Sequence, residues 1–535
     1  MIVSFDNDYI YFTAKSKLAN QLGAFYTAGK KAYKIPISMY TIERLHEEGF
    51  DLTPIQEVVS NLKERLDKVN KIKSKEDTNG LDQLRPYQRV DVEFINSNGN
   101  VAIFNEQRTG KTPTILTAIK DKLGKGIIVC PSGLKLNWAM EYDKWVGKSE
   151  AKVVRGTPKK RLELYNTFTE GVLVMSYETL RQDIDKLLEA IKSIDVLVID
   201  EAHRLRNYTS KQSIALFNLA RVSENVYPMT GTPAVNHPSD VFGILKLVNP
   251  KRFRSYWQFV ERYFGYVEGR FGRELLDFRQ EFKEEFQELL QTYSVQRKRR
   301  DVMSWIPKVT TRDIFLDMNS RQKTHYNQIV SEFRYGDKEI PNVIAQLTRL
   351  RQVCTDPSLL LLEGKSPKTE FIMEYLSDND GKVIIFSAFS SYLRKLKEII
   401  PDAMLLTGEQ TQAEKQNAVD QFQYGDAKVL LANIIAGGTG WTLDNADTII
   451  FTDKSYNPVD NEQAADRFIP TQKDKEYGAK QIINLKLRDS VEIGIQQLLD
   501  QKISIIQYVN DYGVKGLVEL EKGENNNGTG IHNKR

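Results

Sequence analysis

Two short stretches carry residue types that handle phosphate. The first is Asn105-Glu106-Gln107-Arg108-Thr109-Gly110-Lys111-Thr112. It follows an apolar run at 101–104 and precedes a helical stretch at 113–120, so it is expected to be a loop between a strand and a helix. Backbone N–H groups at a helix N-terminus attract phosphate oxygens. Thr109 and Gly110 would line such a site, Lys111 would reach the terminal phosphates, and Thr112 would ligate Mg2+. The first glycine of the full phosphate-loop pattern is absent, and Asn105 stands in its place. The second stretch is Val196-Leu197-Val198-Ile199-Asp200-Glu201-Ala202-His203. Four apolar residues in a row read as a strand buried on both faces. Two carboxylates then fall at its C-terminal end, where an open α/β sheet has its ligand crevice. Such a pair can hold Mg2+ and activate water beside a nucleotide phosphate. A strand that simply ends in two solvated acids is the plain alternative.

The elements that must position these residues follow from the alternation of patterns. From 81 to about 248, apolar strands at 101–104, 126–130, 172–175, 196–200 and 226–230 alternate with helical stretches. That order predicts a parallel sheet with helices on both faces. Residues 250–300 are aromatic and charged and read as a helical insertion. A second block repeats the alternation, with strands expected at 382–386, 403–406, 429–432, 448–451 and 481–485 after a helical stretch at 320–353. At the start, 9–12 and 32–36 read as strands around a helix at 16–22, and a second helix is expected over 38–48 with Ser38 as its N-cap. The resulting layout is an α/β chain. It has a small α+β N-terminal unit (1–60), a linker (61–80), a first lobe (81–307, insertion at about 250–295), a second lobe (308–515, helical insertion at about 318–355) and a polar flexible tail (516–535).

Composition narrows the class. In 535 residues, 41% are hydrophobic and 27% charged, as in ordinary globular proteins. The two cysteines, Cys130 and Cys354, exclude a disulfide framework or a cysteine-rich zinc site. No apolar run reaches the ~20 residues of a membrane span, and the N-terminus lacks the pattern of a secretory signal. A cytoplasmic, nucleoid-associated protein with no membrane partner is therefore expected. The net charge of +4 neither demands nor forbids nucleic acid, because a local basic groove can sit on a nearly neutral chain.

Further motifs have two readings each. In Leu84-Arg85-Pro86-Tyr87-Gln88, the Gln88 amide could pair with an adenine edge, with Arg85 beside it; taken alone, a surface turn before a helix is the better reading. Gln296-Arg297-Lys298-Arg299-Arg300-Asp301-Val302 reads by itself as a solvated basic linker. Leu347-Thr348-Arg349-Leu350-Arg351-Gln352-Val353-Cys354 reads as an amphipathic core helix.

Taken in order, these pieces resemble the superfamily-two helicases, and among them the Swi/Snf-type double-stranded DNA translocases, over residues 81 to 499. The resemblance implies two tandem RecA-like lobes that bind ATP and Mg2+. Residues 84–88 are similar to the family's adenine motif and 105–112 to its first ATP motif, and the DEAH sequence 200–203 matches its metal and water-activating motif. On that basis Gln88, Arg85, Thr109, Gly110, Lys111, Thr112, Asp200 and Gly438 would bind the nucleotide. Thr112 and Asp200 would hold Mg2+, and Glu201 would activate water. Thr230-Gly231-Thr232-Pro233 resembles the motif that couples hydrolysis to movement, which assigns coupling roles to His203, Thr230 and Thr232. Residues implied at nucleic acid are Ser132 and Lys135, Ser176 and Thr179, Arg300, Thr439, and Tyr456 in the place of a usual tryptophan. Gln463-Ala464-Ala465-Asp466-Arg467 resembles the last ATP motif, with Gln463 near the terminal phosphate. The family's second arginine three residues on is Pro470 here, which leaves Arg467 as the arginine finger.

The expected activity is DNA-dependent ATP hydrolysis driving a duplex translocase in replication, recombination or repair. Its partners would be DNA and proteins of those processes, and the chain would act as a monomer. The alternatives are a strand-separating DNA or RNA helicase, or a nucleotide-gated DNA-binding scaffold with little turnover. The N-terminal unit weakly resembles modules that recognise DNA structure; a packing or regulatory role is the alternative.

Overall fold

The computed structural model describes residues 1–78, 81–147, 150–234, 237–269, 272–437, 441–470 and 477–501, and within 505–520 only 505, 508, 509, 514, 516, 517 and 520. The chain forms two compact units, Met1–Val302 and Met303–Arg535.

The first unit is built on a five-stranded sheet. Its strands lie in the order Ser223–Pro228, Ile194–Ile199, Lys125–Cys130, Gly171–Ser176, Ala151–Val153, and every pair is parallel. The strands alternate faces residue by residue. Ile127, Val129, Leu197 and Ile199 enter one apolar core, while Ile128, Cys130, Val196 and Val198 enter the other. This double burial is why the expected strands read as unbroken apolar runs. Ala151–Val153 escaped the sequence because it is short, lies at the sheet edge and carries Lys152. The strand before the phosphate loop, Ala102–Ile103, pairs in parallel with Ser294–Val295 and bridges to Met229.

The region 250–300 corrects the expectation of an all-helical insertion. Between the helices Tyr256–Tyr263 and Lys283–Tyr293 stands an antiparallel hairpin, Tyr266–Gly269 with Gly272–Leu275. The guanidinium of Arg273 lies over the Trp257 and Tyr266 rings at 4.8 and 4.4 Å.

The N-terminal residues form a four-stranded antiparallel sheet in the order Ile2–Phe5, Tyr9–Phe12, Ala32–Pro36, Phe25–Thr27. The expected helix over 38–48 is Met39–Glu47, closed by a capping box between Ser38 and Thr41. The sheet has its own core, centred on Ile10, Phe12, Ile35 and Leu45. A buried ion pair fastens it to the insertion. Arg262 donates to both Glu285 carboxylate oxygens and to the carbonyls of Leu22 and Gly23. The stretch after 55 is an 18-residue helix, Gln56–Lys73, whose Val69 and Ile72 enter the first unit's core.

The second unit is a six-stranded parallel sheet. Its order is Val309–Leu316, Lys480–Leu487, Thr448–Phe451, Val383–Ser387, Val429–Asn433, Met404–Leu406. Its strands also divide between two cores, Ile384 and Phe386 on one face and Val383 and Ile385 on the other. Val309–Leu316 is an addition to the expected strands. It is an edge strand with a mostly exposed face of Thr and Arg, so it lacked an apolar signal. The expected helical stretch at 320–353 is two helices, Ser320–Glu332 and Val343–Thr355, separated by a hairpin turn at Gly336. Among the described residues no helix is long and apolar enough to cross a membrane.

Candidate active site

The phosphate loop joins Ala102–Ile103 to the helix Lys111–Ile119. Gly110 takes φ +78°, and a Cβ there would lie 2.2 Å from Gln88 Nε2, so only glycine fits. Arg108 also adopts the left-handed region, with φ 66°. Thr109 ties the loop to itself, its hydroxyl donating to the Glu106 carbonyl at 2.6 Å. Lys111 folds back over the loop and donates to the carbonyls of Asn105 and Glu106 at 3.0 and 3.2 Å. Thr112 stands half-buried at the first turn of the helix.

The segment 84–88 is a clamp on this loop. Gln88 Nε2 donates to the carbonyls of Thr109 and Gly110 at 3.1 and 3.2 Å, and its Oε1 accepts from the Arg85 N–H at 2.8 Å. Tyr87 adds a third hydrogen bond, 2.7 Å to the Thr109 carbonyl, and Arg85 Nη1 reaches the Tyr87 hydroxyl at 3.3 Å. Both ends of the Gln88 amide are thus spent inside the chain. The surface-turn reading fails for a residue only 4% exposed.

Asp200 directly follows the strand Ile194–Ile199, with its carboxylate buried. Trp138 Nε1 donates to Oδ2 at 2.9 Å, and the Glu201 N–H donates to Oδ1 at 2.9 Å. Burial pushes the Asp200 carboxyl up to about 6, and the neighbouring Glu201 charge adds to this. The Trp138 hydrogen bond and the Lys111 ammonium pull the other way. Lys111 therefore acts electrostatically on Asp200, which joins the two stretches first read from sequence. Glu201 sits at φ 52°, a disfavoured region for a side chain of its size. The Ala202 N–H, bonded to the Met229 carbonyl at 2.8 Å, holds the following residue in place.

From Glu201 a chain of contacts runs to the neighbouring strand. His203 Nδ1 lies 3.2 Å from Glu201 Oε2 and 3.1 Å from Thr230 Oγ1. The ring nitrogen's hydrogen bond is the one to the Thr230 hydroxyl, its direction set by the tautomer, while the Glu201 carboxylate is an ion-pair neighbour. Thr230 Oγ1 also accepts from the Thr232 N–H at 3.1 Å. Between them, a Cβ on Gly231 would lie 3.5 Å from Lys111 Nζ. The first unit thus brings Arg85, Gln88, Thr109, Gly110, Lys111, Asp200, Glu201, His203, Thr230 and Thr232 into one connected neighbourhood.

This neighbourhood fits Mg2+ brought in with phosphate. A carboxylate and a hydroxyl, Asp200 and Thr112, are hard oxygen donors of the kind Mg2+ takes alongside phosphate oxygens. Asp200 keeps lone pairs beyond its two hydrogen bonds. Among the described residues, no cluster of three or more His, Cys, Asp or Glu forms a metal cage.

Trp138 was missed at the sequence level. Its segment was read as a nucleic-acid contact, yet the indole is 1% exposed and its N–H is aimed at Asp200. The available signal was chemical: a buried tryptophan needs an acceptor. Tyr177 was missed likewise; its hydroxyl donates to the Asp200 carbonyl.

The residues expected at nucleic acid have varied surroundings. Ser132 is exposed, and Lys135 Nζ reaches the Val154 carbonyl at 3.1 Å. Ser176 caps the helix Tyr177–Ala190 by accepting from the Thr179 N–H, and the two hydroxyls lie 3.1 Å apart. Arg300 has a side chain 78% exposed, 3.4 Å from Asp301. In the second unit, the Arg351 guanidinium covers one face of the Tyr456 ring at 4.3 Å. Gln463 is half-buried on the helix Pro458–Ala465. Arg467 Nη1 lies 3.5 Å from the Trp441 carbonyl, and its own carbonyl accepts from the Leu443 N–H. Pro470 is buried. Gly438 and Thr439 lie outside the described residues.

Two parallel α/β units in tandem, the first with a phosphate loop beside an Asp-Glu strand end, are RecA-like lobes. The SNF2-related domain profile matches residues 49–359, and the helicase conserved C-terminal domain profile matches residues 367–469. The first match spans more than half of the chain, which belongs to the SNF2-related family. An uncharacterized ATP-dependent helicase of Mycoplasma genitalium is 25% identical, over 85% of this chain and 45% of its own length. The chromodomain-helicase-DNA-binding protein 1-like of Danio rerio is 26% identical, over 82% and 45%. The mouse DNA annealing helicase and endonuclease ZRANB3 is 23% identical, over 72% and 37%. The chain spans less than half the length of these relatives. Among solved structures, the Sulfolobus solfataricus SWI2/SNF2 ATPase core in complex with dsDNA is 22% identical, with a TM-score of 0.38 over 84% of this chain and 97% of that one.

Proposed function

We propose that the chain is an ATP-driven motor that moves along double-stranded DNA and remodels DNA structures or protein–DNA complexes. The observation that carries this reading is the connected set Lys111, Asp200, Glu201, His203 and Thr230 in a chain of the SNF2-related family. The relatives' names, a DNA-binding helicase and a DNA annealing helicase, support DNA as the substrate.

In this reading Lys111 leaves the loop carbonyls and binds the terminal phosphates of ATP. Thr112 and Asp200 are the residues that would hold Mg2+, which supplies charge neutralisation on the phosphates when bound. Glu201 accepts the proton of the attacking water at its carboxylate. His203, whose Nδ1 neighbours both Glu201 and Thr230, passes the change at Glu201 to the Thr230–Thr232 turn. Gln463 and Arg467 are the candidate residues of the last ATP motif, with Arg467 as the finger that counters charge on the phosphoryl group. Ser132, Lys135, Ser176, Thr179, Arg300 and Tyr456 are the candidate nucleic-acid contacts.

Displacement of a third strand from a triplex tests directed movement on a duplex without strand separation. The wild type is expected to displace it only with ATP, and Lys111→Ala is expected to abolish displacement. Displacement by Lys111→Ala at the wild-type rate would refute the reading. Trp138→Phe keeps the ring and deletes the donor to Asp200. It is expected to raise the Mg2+ concentration for half-maximal hydrolysis roughly tenfold, since hydrogen bonds to charged groups contribute about 1.5–3 kcal/mol; a Mg2+ titration measures this.

A second reading is a nucleotide-gated DNA-binding scaffold with little turnover. Pro470, buried where the family carries its second arginine, favours it. Tight duplex binding that responds to ATP, with hydrolysis at the level of Glu201→Gln, would establish it.

A further inference from the structure

The basic run at 296–300 does not behave as a solvated linker. Arg300 alone among its arginines is mostly exposed, whereas Arg297 turns inward. Its Nε donates to Asp91 Oδ1 at 2.8 Å, and Asp91 is fully buried. The other Asp91 oxygen accepts from Asn105 Nδ2 at 2.7 Å. A carboxylate only accepts, so the Asn105 amide is fixed with its nitrogen toward Asp91. Asn105 is the residue that replaces the first glycine of the phosphate loop.

Asp91 lies three residues after Gln88 on the helix Pro86–Asn98, so the two share a face. Gln88 grips the end of the loop at Thr109 and Gly110, and Asp91 grips its beginning at Asn105. The backbone adds a second grip on that beginning. The Phe104 N–H donates to the Val295 carbonyl at 2.8 Å and the Glu106 N–H to the Arg297 carbonyl at 2.9 Å. The Arg299 N–H in turn donates to Glu106 Oε2 at 2.7 Å. The carbonyls of Asn105 and Glu106 are the ones that hold Lys111. The segment 294–299 therefore reaches the ammonium of Lys111 through a single residue.

One further detail separates this arrangement from a plain ion pair. Among the described residues, Asn105 Oδ1 and Arg297 Nη2 are both buried with no hydrogen-bond partner. Each belongs to a side chain bonded to the same carboxylate. An acceptor and a donor are thus left unspent on the two partners of Asp91.

We infer that Arg297 is a positioning residue for the phosphate loop, fixing Asn105 through Asp91 so that the loop's shape depends on the segment that closes the first unit. The inference rests on the proposed nucleotide site. Burial pushes the Asp91 carboxyl above its usual range, and the Arg297 guanidinium is the strongest influence against that. Removing Arg297 alone would strand a buried charge and could unfold the chain. Two variants avoid this. Arg297→Lys keeps the charge but lacks the planar fork. Asp91→Asn with Arg297→Gln removes both charges together.

The full chain is titrated with a fluorescent ADP analogue, and its melting temperature is measured without nucleotide. Either variant is expected to bind the analogue about tenfold or more weakly than wild type, as misplacement of a remote support does. Melting is expected to stay within about 3 °C of wild type, the shift of roughly one lost kcal/mol in a unit of this size. A merely structural pair would move melting and leave the affinity of the folded fraction alone. Wild-type affinity in both variants overturns the inference and leaves the nucleotide site standing. A wild-type chain that does not bind the analogue overturns both.

Discussion

Glu201→Gln is expected to stop hydrolysis while leaving nucleotide bound. The substitution preserves volume and the position at φ 52°, and it removes only the ability to take a proton. General-base catalysis contributes about 10²–10⁴ in rate, and a loss of that size is expected in the DNA-stimulated turnover number. Affinity for ATP should change by less than about threefold, because the proposed phosphate site, the loop with Lys111 and Gly110, does not include Glu201. The same substitution weakens the contact to His203 Nδ1, leaving that nitrogen to Thr230 alone. Single-turnover hydrolysis with equilibrium ATP binding checks both halves. A turnover number within tenfold of wild type would place the base elsewhere.

Arg467→Ala should be at least as damaging. Arginine fingers contribute roughly 10³–10⁵ in rate, and the position of the family's second arginine is occupied by Pro470. Arg467→Lys should not rescue, since a point charge does not reproduce the planar fork. ATP affinity should fall little, because the phosphate loop and its clamp lie wholly in the first unit. Steady-state hydrolysis and ATP binding separate the outcomes. If Arg467→Ala turns over at the wild-type rate, hydrolysis does not use this arginine, and the scaffold reading gains.

Much of the framework was legible because burial and chemistry coincide in the sequence. The parallel strands announce themselves, since residues such as Ile127 and Ile128 must both be apolar to face two cores. Gly110-Lys111-Thr112 and Asp200-Glu201 were legible because few other residue types do that chemistry. The legible parts stop where a residue's partner is distant in the chain. Trp138 carries no local sign of its partner until Asp200 is seen 2.9 Å from its N–H. Gln88 reads as an adenine ligand, and nothing local says that its amide is occupied by the loop carbonyls. Arg297 is indistinguishable by type from Arg300, yet one pairs with buried Asp91 and the other faces solvent. The edge strands Ala151–Val153 and Val309–Leu316 stayed hidden because an edge needs no apolar run. The hairpin at 266–275 was hidden by the helical spacing of its neighbours.

ATP hydrolysis driven by duplex DNA is the central claim. The direct measurement is the steady-state ATPase rate of wild type and Lys111→Ala with no nucleic acid, duplex DNA, single-stranded DNA and RNA. The expected result is a wild-type rate raised at least about tenfold by duplex, less by single strands or RNA, and a Lys111→Ala rate at background throughout. Stimulation by RNA or single strands above that by duplex, or undiminished hydrolysis in Lys111→Ala, would contradict it.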